Sequence, residues 1–573
     1  MVIDKFFVYL KQTKIMIKEK FLVIVYTLLL FATGVSAQQA AEFSVPFDFP
    51  LYLSGNFAEL RSNHFHAGLD FKTQGVEGKP ITVVADGYIA RAKVQAGGYG
   101  RALYVMHHNG YMTVYGHLQR FPAAVAQAVR ERQYTDECFA VDIEFAPGEL
   151  PVKRGDVLAY AGNSGYSFGP HLHFEVRSAD GELLYNPLKF YASKVADNRP
   201  PVAQAVAFYP IEGQGAVCGS SSSVVRKVQG GVLADTLTVW GRVGFGLKGL
   251  DYMSGTTNKY GIYEIELLVD DSLRFAARMD NFSYSENRLI NAWADYERLQ
   301  AGDGWFLRSY LLPNNPLRMA DADAAAGIVD FCEERLYKVE YRLRDYHGNS
   351  SVCSFVVAGR QCDIAPVYHS GGNMLRWYLN NDVRLHGCSL FVPRGALFND
   401  FYLQLRVDES ASSPVYDLAA APVPLWRAAR LTLNIPAALL PFADKCYIER
   451  VAGKKRSSVG GKVADGVVTA NIYTLDSYTV AVDTVAPRVT TVKEKQWARN
   501  GCAVFAVADK HTGISSFRGT IDGRFVLFEY SSKNGRITCD FKREKVSRGK
   551  HALRLVVVDN VGNETIVEKN IIY

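Results

Sequence analysis

Short runs of alternating apolar and polar residues, cut at close intervals by glycine-centred turns, cover most of the chain. A sequence so patterned is committed to antiparallel sheets rather than helices. ALYVMHHNGYMTVYGHL (102–118) shows this most plainly, as two strands around Asn109-Gly110, a two-residue turn whose twist suits a hairpin. PITVVADGYIARAKVQ (80–95) reads as two short strands around Asp86-Gly87, and GGYG (97–100) as a turn. PVKRGDVLAYAG (151–162) resumes the strand pattern and leads into a glycine-rich loop, NSGYSFGP (163–170). PAAVAQAVRERQYTDE (122–137) alone has helical composition here and interrupts the strands. The content of 48 Gly, 32 Tyr and 32 Phe leans the same way, since aromatic side chains pack well on pleated surfaces.

At 573 residues the chain is too long for a single core, so several domains are expected. NRPP (198–201) reads as a boundary. Beyond it, YKVEYRLRDYHGNSSVCSFVV (337–357) and HALRLVVVDNVGNETIVEKNI (551–571) echo each other as strand, Asp, Gly-Asn turn, strand. That pattern fits the last hairpin of an immunoglobulin-like sandwich. GLDYMSG (249–255) and VADKHTG (507–513) echo each other more weakly. The division that follows is 41–195, an immunoglobulin-like sandwich at 200–360, a β-rich domain at 361–485 ending near DTVAPRV, and a second immunoglobulin-like sandwich at 486–573. The fold class is mainly β, with two or three β-sandwiches as a tail.

A net charge of +6, from 64 basic and 58 acidic residues, is too balanced for an electrostatic nucleic-acid binder. No phosphate-cradling glycine loop precedes a helix. Nine scattered cysteines without a CxxC pair make neither a disulfide framework nor a zinc finger, although Cys353 and Cys362 are placed to pair with neighbours. MIKEK (16–20), the apolar run FLVIVYTLLLFATG (21–34) and VSA (35–37) have the three-part layout of a secretory signal peptide, with Met16 a plausible start. The run is short of the roughly 20 apolar residues a spanning helix needs, and no Cys follows the small residues for a lipid anchor. An exported chain, periplasmic or secreted and with no membrane span once processed, is expected.

Seven of the twelve histidines fall within 41–195. In GPHLHFEVR (169–177), read as a strand, His171, His173, Glu175 and Arg177 share one face, and Leu172, Phe174 and Val176 form the core face. In the hairpin, Tyr111, Thr113, Tyr115 and His117 share a polar, aromatic-lined face. NHFHAGLD (63–70) puts His66 and Asp70 four residues apart around a glycine. Two nitrogens and one oxygen, leaving a fourth tetrahedral position for water, make the donor set of a catalytic rather than a structural zinc. His66, Asp70 and one histidine of the HLH pair would supply it, leaving the other histidine and His117 to act on water and substrate. His64 forms a second HxH with His66 and competes for the ligand role. His107 and His108 read as structural, as do the five dispersed histidines His347, His369, His386, His511 and His551.

Taken in order, HFHAGLD, YGHL and GPHLHFEVR resemble the lysostaphin/LytM-type zinc endopeptidases of bacterial cell walls, and ADGYI and VKRGDVLAYAGNSG add to the likeness. It covers about residues 45–190 and nothing beyond. The resemblance implies an antiparallel metallopeptidase domain of the duplicated-hybrid-motif type, holding one zinc per chain through His66, Asp70 and His173. It assigns His117 and His171 as the catalytic pair and peptidoglycan peptides as the substrate. It also favours His66 over His64, since His66 stands four residues before the Asp. Glu175 reads as a surface carboxylate or a partner of the ligands. The helical insert near 121–150 departs from the family pattern and is expected to reshape one groove wall. Glycines 162, 165 and 169 are expected to keep the approach to the metal low. The tail carries no chemical constellation and is a candidate surface for protein partners. Two other readings stay open, a non-hydrolytic wall-binding or regulatory module and a zinc endopeptidase acting on a secreted protein.

Overall fold

A computed structural model describes residues 43–573 other than Ser370, His386 and Ala411. The export segment expected at 1–37 and the structural role given to His386 lie outside these residues. No helix among the described residues is long and apolar enough to cross a membrane.

The first sheet runs in the order Leu53–Gly55, Leu69–Lys72, His171–Ser178, Tyr111–Gly116, Arg101–His107, Gly87–Val94, Val141–Glu144, every pairing antiparallel. The Asn109-Gly110 hairpin forms, with Met106 opposite Met112 and Gly110 in the left-handed region at φ +82°. Asp86-Gly87 separates two strands as expected, but they enter different sheets, because Pro80–Thr82 joins a three-stranded sheet with Val157–Ala161 and Leu118–Arg120. GPHLHFEVR becomes the central strand His171–Ser178. Its Leu172, Phe174 and Val176 are fully buried, and Phe174 meets Phe71, Tyr115 and Tyr191 at ring separations of 6.0, 5.3 and 5.7 Å. Burying each such aromatic ring is worth about 2–3 kcal/mol.

The opposite face of this strand departs from the alternation argument. His173, Glu175 and Arg177 are buried too, because the sheet is covered on both sides. All nine cysteines are unpaired thiols, so Cys353 and Cys362 are not bridged.

Beyond the linker, Val202–Val217 and Leu237–Leu250 are the longest strands of an eleven-stranded sheet that reaches Ser350–Gly359. The hairpin expected at 337–357 forms as Leu336–Arg344 with Ser350–Gly359. This region is continuous with the first sheet, since Asn281–Ser283 pairs with Leu183–Tyr185. Two five-stranded sheets then enclose a core running from Leu375 to Val480. Two four-stranded sheets at the C-terminal end enclose a core from Trp497 to Ile571, and include the expected hairpin Lys550–Asp559 with Glu564–Ile572.

The helix Ala123–Thr135 does not wall the groove. It docks against the C-terminal sandwich, because one of its sides presents Arg130 and Tyr134 to that sandwich. Arg130 Nη1 donates to Glu544 Oε1 at 3.0 Å, Tyr134 also donates to Glu544, and the Tyr134 ring meets Phe525 edge-on at 5.2 Å. Glu544 further accepts the Leu527 N–H at 2.9 Å, so one carboxylate gathers donors from both partners. Arg101 with Glu529 at 2.8 Å and Arg518 Nε with Glu137 at 2.7 Å flank it. Removing the carboxylate in Glu544→Ala is expected to cost about 2 kcal/mol, because the donors lose their acceptor at a largely buried position. Amide exchange in 123–135 should then rise about thirtyfold by mass spectrometry. Unchanged protection would show that the contact does not hold the helix.

Candidate metal centre and catalytic histidines

The site is assembled from a bend and the central strand. His66 follows the short strand His64–Phe65, Asp70 lies in Leu69–Lys72, and His173 pairs directly with Asp70 across the ladder. Gly68 makes the approach possible, because a Cβ there would sit 2.1 Å from the Phe174 carbonyl oxygen. The sheet register brings a residue of the bend against one more than a hundred positions away.

His66 Nε2, Asp70 Oδ1 and His173 Nδ1 stand 3.0, 3.1 and 2.9 Å from one another. The far nitrogen of each imidazole is already committed. His66 Nδ1 donates to the Asn56 carbonyl at 2.6 Å, and His173 Nε2 donates to Glu175 Oε1 at 2.8 Å. In the neutral rings, therefore, the converging nitrogens both carry lone pairs, and they face a carboxylate oxygen. Three lone pairs at this spacing repel unless a positive charge lies among them. A tetrahedral zinc with bonds of about 2.0–2.1 Å sets its ligand atoms about 3.3 Å apart, so the donor set and its spacing both fit that ion. Without it, a proton takes the place. Burial opposes the charge on His173, but its bonds to Asp70 and Glu175 outweigh that and push it up to about 9. Burial likewise opposes ionisation of Asp70, yet His66, His171 and His173 hold its carboxyl well below the usual carboxylate range.

Glu175 is the residue the alternation argument undervalued. It is 0% exposed rather than a surface carboxylate, and it accepts from His173 Nε2, from the Tyr99 hydroxyl at 2.5 Å and from Arg177 Nε at 2.5 Å. Burial works against its charge, but Arg177 and His173 push its carboxyl down to about 2. Tyr99 also stacks on the His173 ring at 5.0 Å. The signal was present in the i, i+2, i+4 spacing of His173, Glu175 and Arg177. Tyr99 lies in a glycine turn and had none.

His117 does not continue the hairpin face, on which Thr113 and Tyr115 are in any case buried. It follows strand Tyr111–Gly116 at φ +58°, a left-handed conformation that costs a non-glycine residue about 1–2 kcal/mol. Its N–H is held by the Tyr99 carbonyl at 2.8 Å, and its Nδ1 donates to the Ser164 carbonyl at 2.8 Å. Nε2 is thereby left with the lone pair. Burial, with His173 and His171 alongside, pushes His117 down to about 3, so it is neutral at physiological pH. His171 is anchored alike, Nδ1 donating to the Gly169 carbonyl at 2.8 Å, with Nε2 3.5 Å from Asp70 Oδ1. The two rings lie 4.7 Å apart.

All five residues line one cleft of about 1190 Å³. Tyr166 and Phe168, 69% and 91% exposed, stand at its rim, and Asn258 of the second region reaches it from the other side. His64 is exposed, with Nδ1 on the Ser62 carbonyl at 3.0 Å, and stands apart from the three converging donors. A Cβ on Gly162 would meet Gln119 N at 2.4 Å and one on Gly165 would meet Gly100 N at 2.2 Å, so these two glycines let the loop lie flat. Gly169 faces open space.

Residues 64–135 match the profile of peptidase family M23, and residues 372–483 match a Zu5-like domain, giving a name to the region read above only as β-rich. A DD-carboxypeptidase/endopeptidase Mpg from Neisseria meningitidis serogroup B is 33% identical over 118 residues, covering 21% of this chain and 21% of its own. An uncharacterized metalloprotease from Haemophilus influenzae is 34% identical over 110 residues, covering 19% of this chain and 18% of its own. Among solved structures, the catalytic domain of lysostaphin from Staphylococcus simulans is 23% identical with a TM-score of 0.17, over 25% of this chain and 90% of that one. The chain carries a peptidase family M23 domain and spans about a fifth of the length of the relatives it matches.

Two outcomes follow for the donor cluster. Replacing Glu175 by Ala should weaken metal affinity about 10–100-fold in a chelator competition, because His173 loses the partner that orients it. The raised His173 sets the sign of the pH dependence. Below about pH 9 the metal-free protein carries a proton that the metal displaces. Metal uptake at pH 7.5 should therefore release close to one proton, and apparent affinity should rise about tenfold per unit from pH 7 towards 9. Calorimetry in buffers of different ionisation enthalpy measures that proton directly.

Proposed function

We propose that this chain, through its M23 domain, is an exported zinc-dependent endopeptidase that hydrolyses peptide bonds in the stems or cross-links of bacterial peptidoglycan. The observation that carries the reading is the convergence of three lone-pair donors with two histidines whose Nδ1 atoms are both tied to backbone carbonyls. One of its relatives bears the name DD-carboxypeptidase/endopeptidase, which fits a peptide substrate of the wall. The signal-peptide layout at 16–37 fits a substrate outside the cytoplasm.

His66, Asp70 and His173 would hold the ion. Zinc bound there supplies Lewis-acid polarisation of a carbonyl and a water acidic enough to ionise near neutral pH. His117, kept neutral with its lone pair on Nε2, accepts the proton of the attacking water. His171, with Nδ1 committed to Gly169, accepts a hydrogen bond at Nε2 from the attacking water, and His117 returns the proton it has taken up to the leaving amine. Ser164 and Gly169 set the direction of those rings, so neither imidazole has to be ordered at the moment of reaction. The open cleft and the flat 162–170 loop admit an extended peptide, and Tyr166 and Phe168 give it an apolar rim.

Purified protein incubated with cross-linked peptidoglycan should release peptide fragments. His117→Ala should keep its metal and lose about 10²–10⁴-fold in kcat, the usual worth of one positioned proton-transfer group. His173→Ala should lose metal and activity together. Full metal content with no cleavage of peptidoglycan would favour the non-hydrolytic reading. Cleavage of a glycine-rich protein in preference to peptidoglycan would favour the secreted-protein substrate.

A further inference from the structure

The two echoing hairpins share more than a sequence pattern. In the first, the Asn349 N–H donates to Asp345 Oδ1 at 2.8 Å and its Nδ2 to Asp345 Oδ2 at 2.6 Å, while Nδ2 also reaches the Asp197 carbonyl at 3.3 Å. In the second, Asn563 makes the same three bonds, to Asp559 at 2.8 and 2.7 Å and to the Asp483 carbonyl at 2.8 Å. Ser351 on the Pro201 carbonyl and Thr565 on the Pro487 carbonyl, both at 2.6 Å, complete the match. GLDYMSG and VADKHTG add a third carboxylate to each copy. Asp197, Asp251 and Asp345 thus correspond to Asp483, Asp509 and Asp559.

The copies differ in whether those carboxylates are satisfied. In the second, Asp509 Oδ1 accepts three backbone N–H groups, from His511, Thr512 and Gly513. Asp483 takes the Val485 N–H and the Thr512 hydroxyl, and Asp559 takes the N–H groups of Val561 and Asn563. In the first copy, Asp251 Oδ1, Asp197 Oδ2 and His347 Nδ1 are buried with no hydrogen-bond partner. His347 stands where the second copy has Val561. Its Nε2 donates to the Val195 carbonyl at 2.7 Å, so the orphaned Nδ1 carries a lone pair. Ligand atoms of Asp197, Asp345 and His347 lie within 4.8 Å of one another.

Those three residues and Asp251, itself 2% exposed, line a single enclosed cavity of about 10 Å³, room for about one water-sized sphere. Asn56, Phe57, Asn186 and Leu188 of the M23 domain close its other side. Carboxylate oxygens buried without a donor are costly, and Asp197 Oδ2 and Asp251 Oδ1 are both of that kind. Burial, with Asp345 and Asp197 nearby, pushes the Asp251 carboxyl up to about 8. A cation would relieve all of these costs at once.

We propose that this cavity is a second divalent-cation site, taking a zinc-class ion through the carboxylates of Asp197, Asp251 and Asp345 and Nδ1 of His347. Three carboxylates with one imidazole suit zinc or manganese better than an all-oxygen calcium site. The site shares no residue with His66, Asp70 and His173. It sits where the M23 domain meets the following sheet, and His347 already bonds the last turn of that domain, so the ion fastens the two together.

Metal counting on the full chain tests this. The protein is stripped with chelator, dialysed against Zn²⁺, and its zinc measured by mass spectrometry, with Mn²⁺ as a parallel probe. Wild type should hold two zinc ions per chain. Asp251→Asn and His347→Gln should hold one, His173→Ala one, and the His173→Ala/Asp251→Asn double variant none. Asp251→Asn is isosteric and replaces a carboxyl whose ionisation the cavity opposes, so its metal-free melting temperature should equal or exceed that of wild type. Zinc should raise the melting temperature of His173→Ala and leave that of the double variant unchanged. No zinc in wild type, a single zinc that is lost in His173→Ala, or two retained in both Asp251→Asn and His347→Gln, would overturn the proposal. A single zinc that survives His173→Ala but is lost in Asp251→Asn would instead overturn the active-site reading and leave this one standing.

Discussion

Three lone pairs brought to about 3 Å from one another form the constraint on which the rest of the M23 domain depends. Left alone they repel, so the fold must both force them together and provide the charge that reconciles them. Asn56, through its carbonyl, and Glu175, through its carboxylate, do the forcing by taking the outer N–H of each imidazole. Either a proton or a divalent ion does the reconciling. The buried Glu175 is therefore as much a part of the centre as the ligands. Arg177 keeps it ionised, Arg177 and Tyr99 keep it fixed, and through it they keep His173 turned the right way.

The same economy holds for the two remaining histidines. Each gives its Nδ1 to a backbone carbonyl of the 163–170 loop, so the loop sets ring direction without spending a side chain on it. His117 carries a backbone cost of about 1–2 kcal/mol for its left-handed φ, and leaving the strand there is what turns the ring toward His171 and His173. A residue that stayed in the strand would have pointed along the row of Tyr115 and Thr113, into the packed interior.

How far this could be read from the sequence varies with the physics involved. Strand alternation put His171 and His173 on one face, and the Asn109-Gly110 turn was legible, because local periodicity and turn chemistry are properties of neighbouring residues. The same alternation misplaced His117, which leaves the strand at a left-handed φ, and only the family resemblance joined it to the other two. The burial of Glu175 was not legible. Alternation tells which residues share a face but not whether a second layer covers it, and here Tyr99 covers Glu175 and Tyr284 covers Arg177. The helix at 122–137 was recognisable as a helix, yet its role was not, since its partner Glu544 lies more than four hundred residues on. The echo between the two hairpins was visible as a pattern of Asp, Gly and Asn. Only the hydrogen bonds show that the two copies are built alike and differ in His347 against Val561.

Contacts from the C-terminal sandwich extend to the loop that orients His117 and His171. Lys533 donates to Asn163 Oδ1 at 2.6 Å, and Ser532 bonds the Ala96 carbonyl at 2.8 Å. The next residue after Asn163 is Ser164, whose carbonyl holds His117 and whose hydroxyl bonds the Leu118 carbonyl and receives the Arg101 N–H. Arg101 in turn pairs with Glu529 of the sandwich. One short loop thus holds the His117 and His171 rings on one side and a distant domain on the other. A loop of small residues and glycine has little stiffness of its own, and the constraint on His117 has to come from what the loop is fastened to. The helix Ala123–Thr135, an interruption of the strand pattern when seen in the sequence alone, adds a further fastening of the sandwich through Arg130 and Glu544.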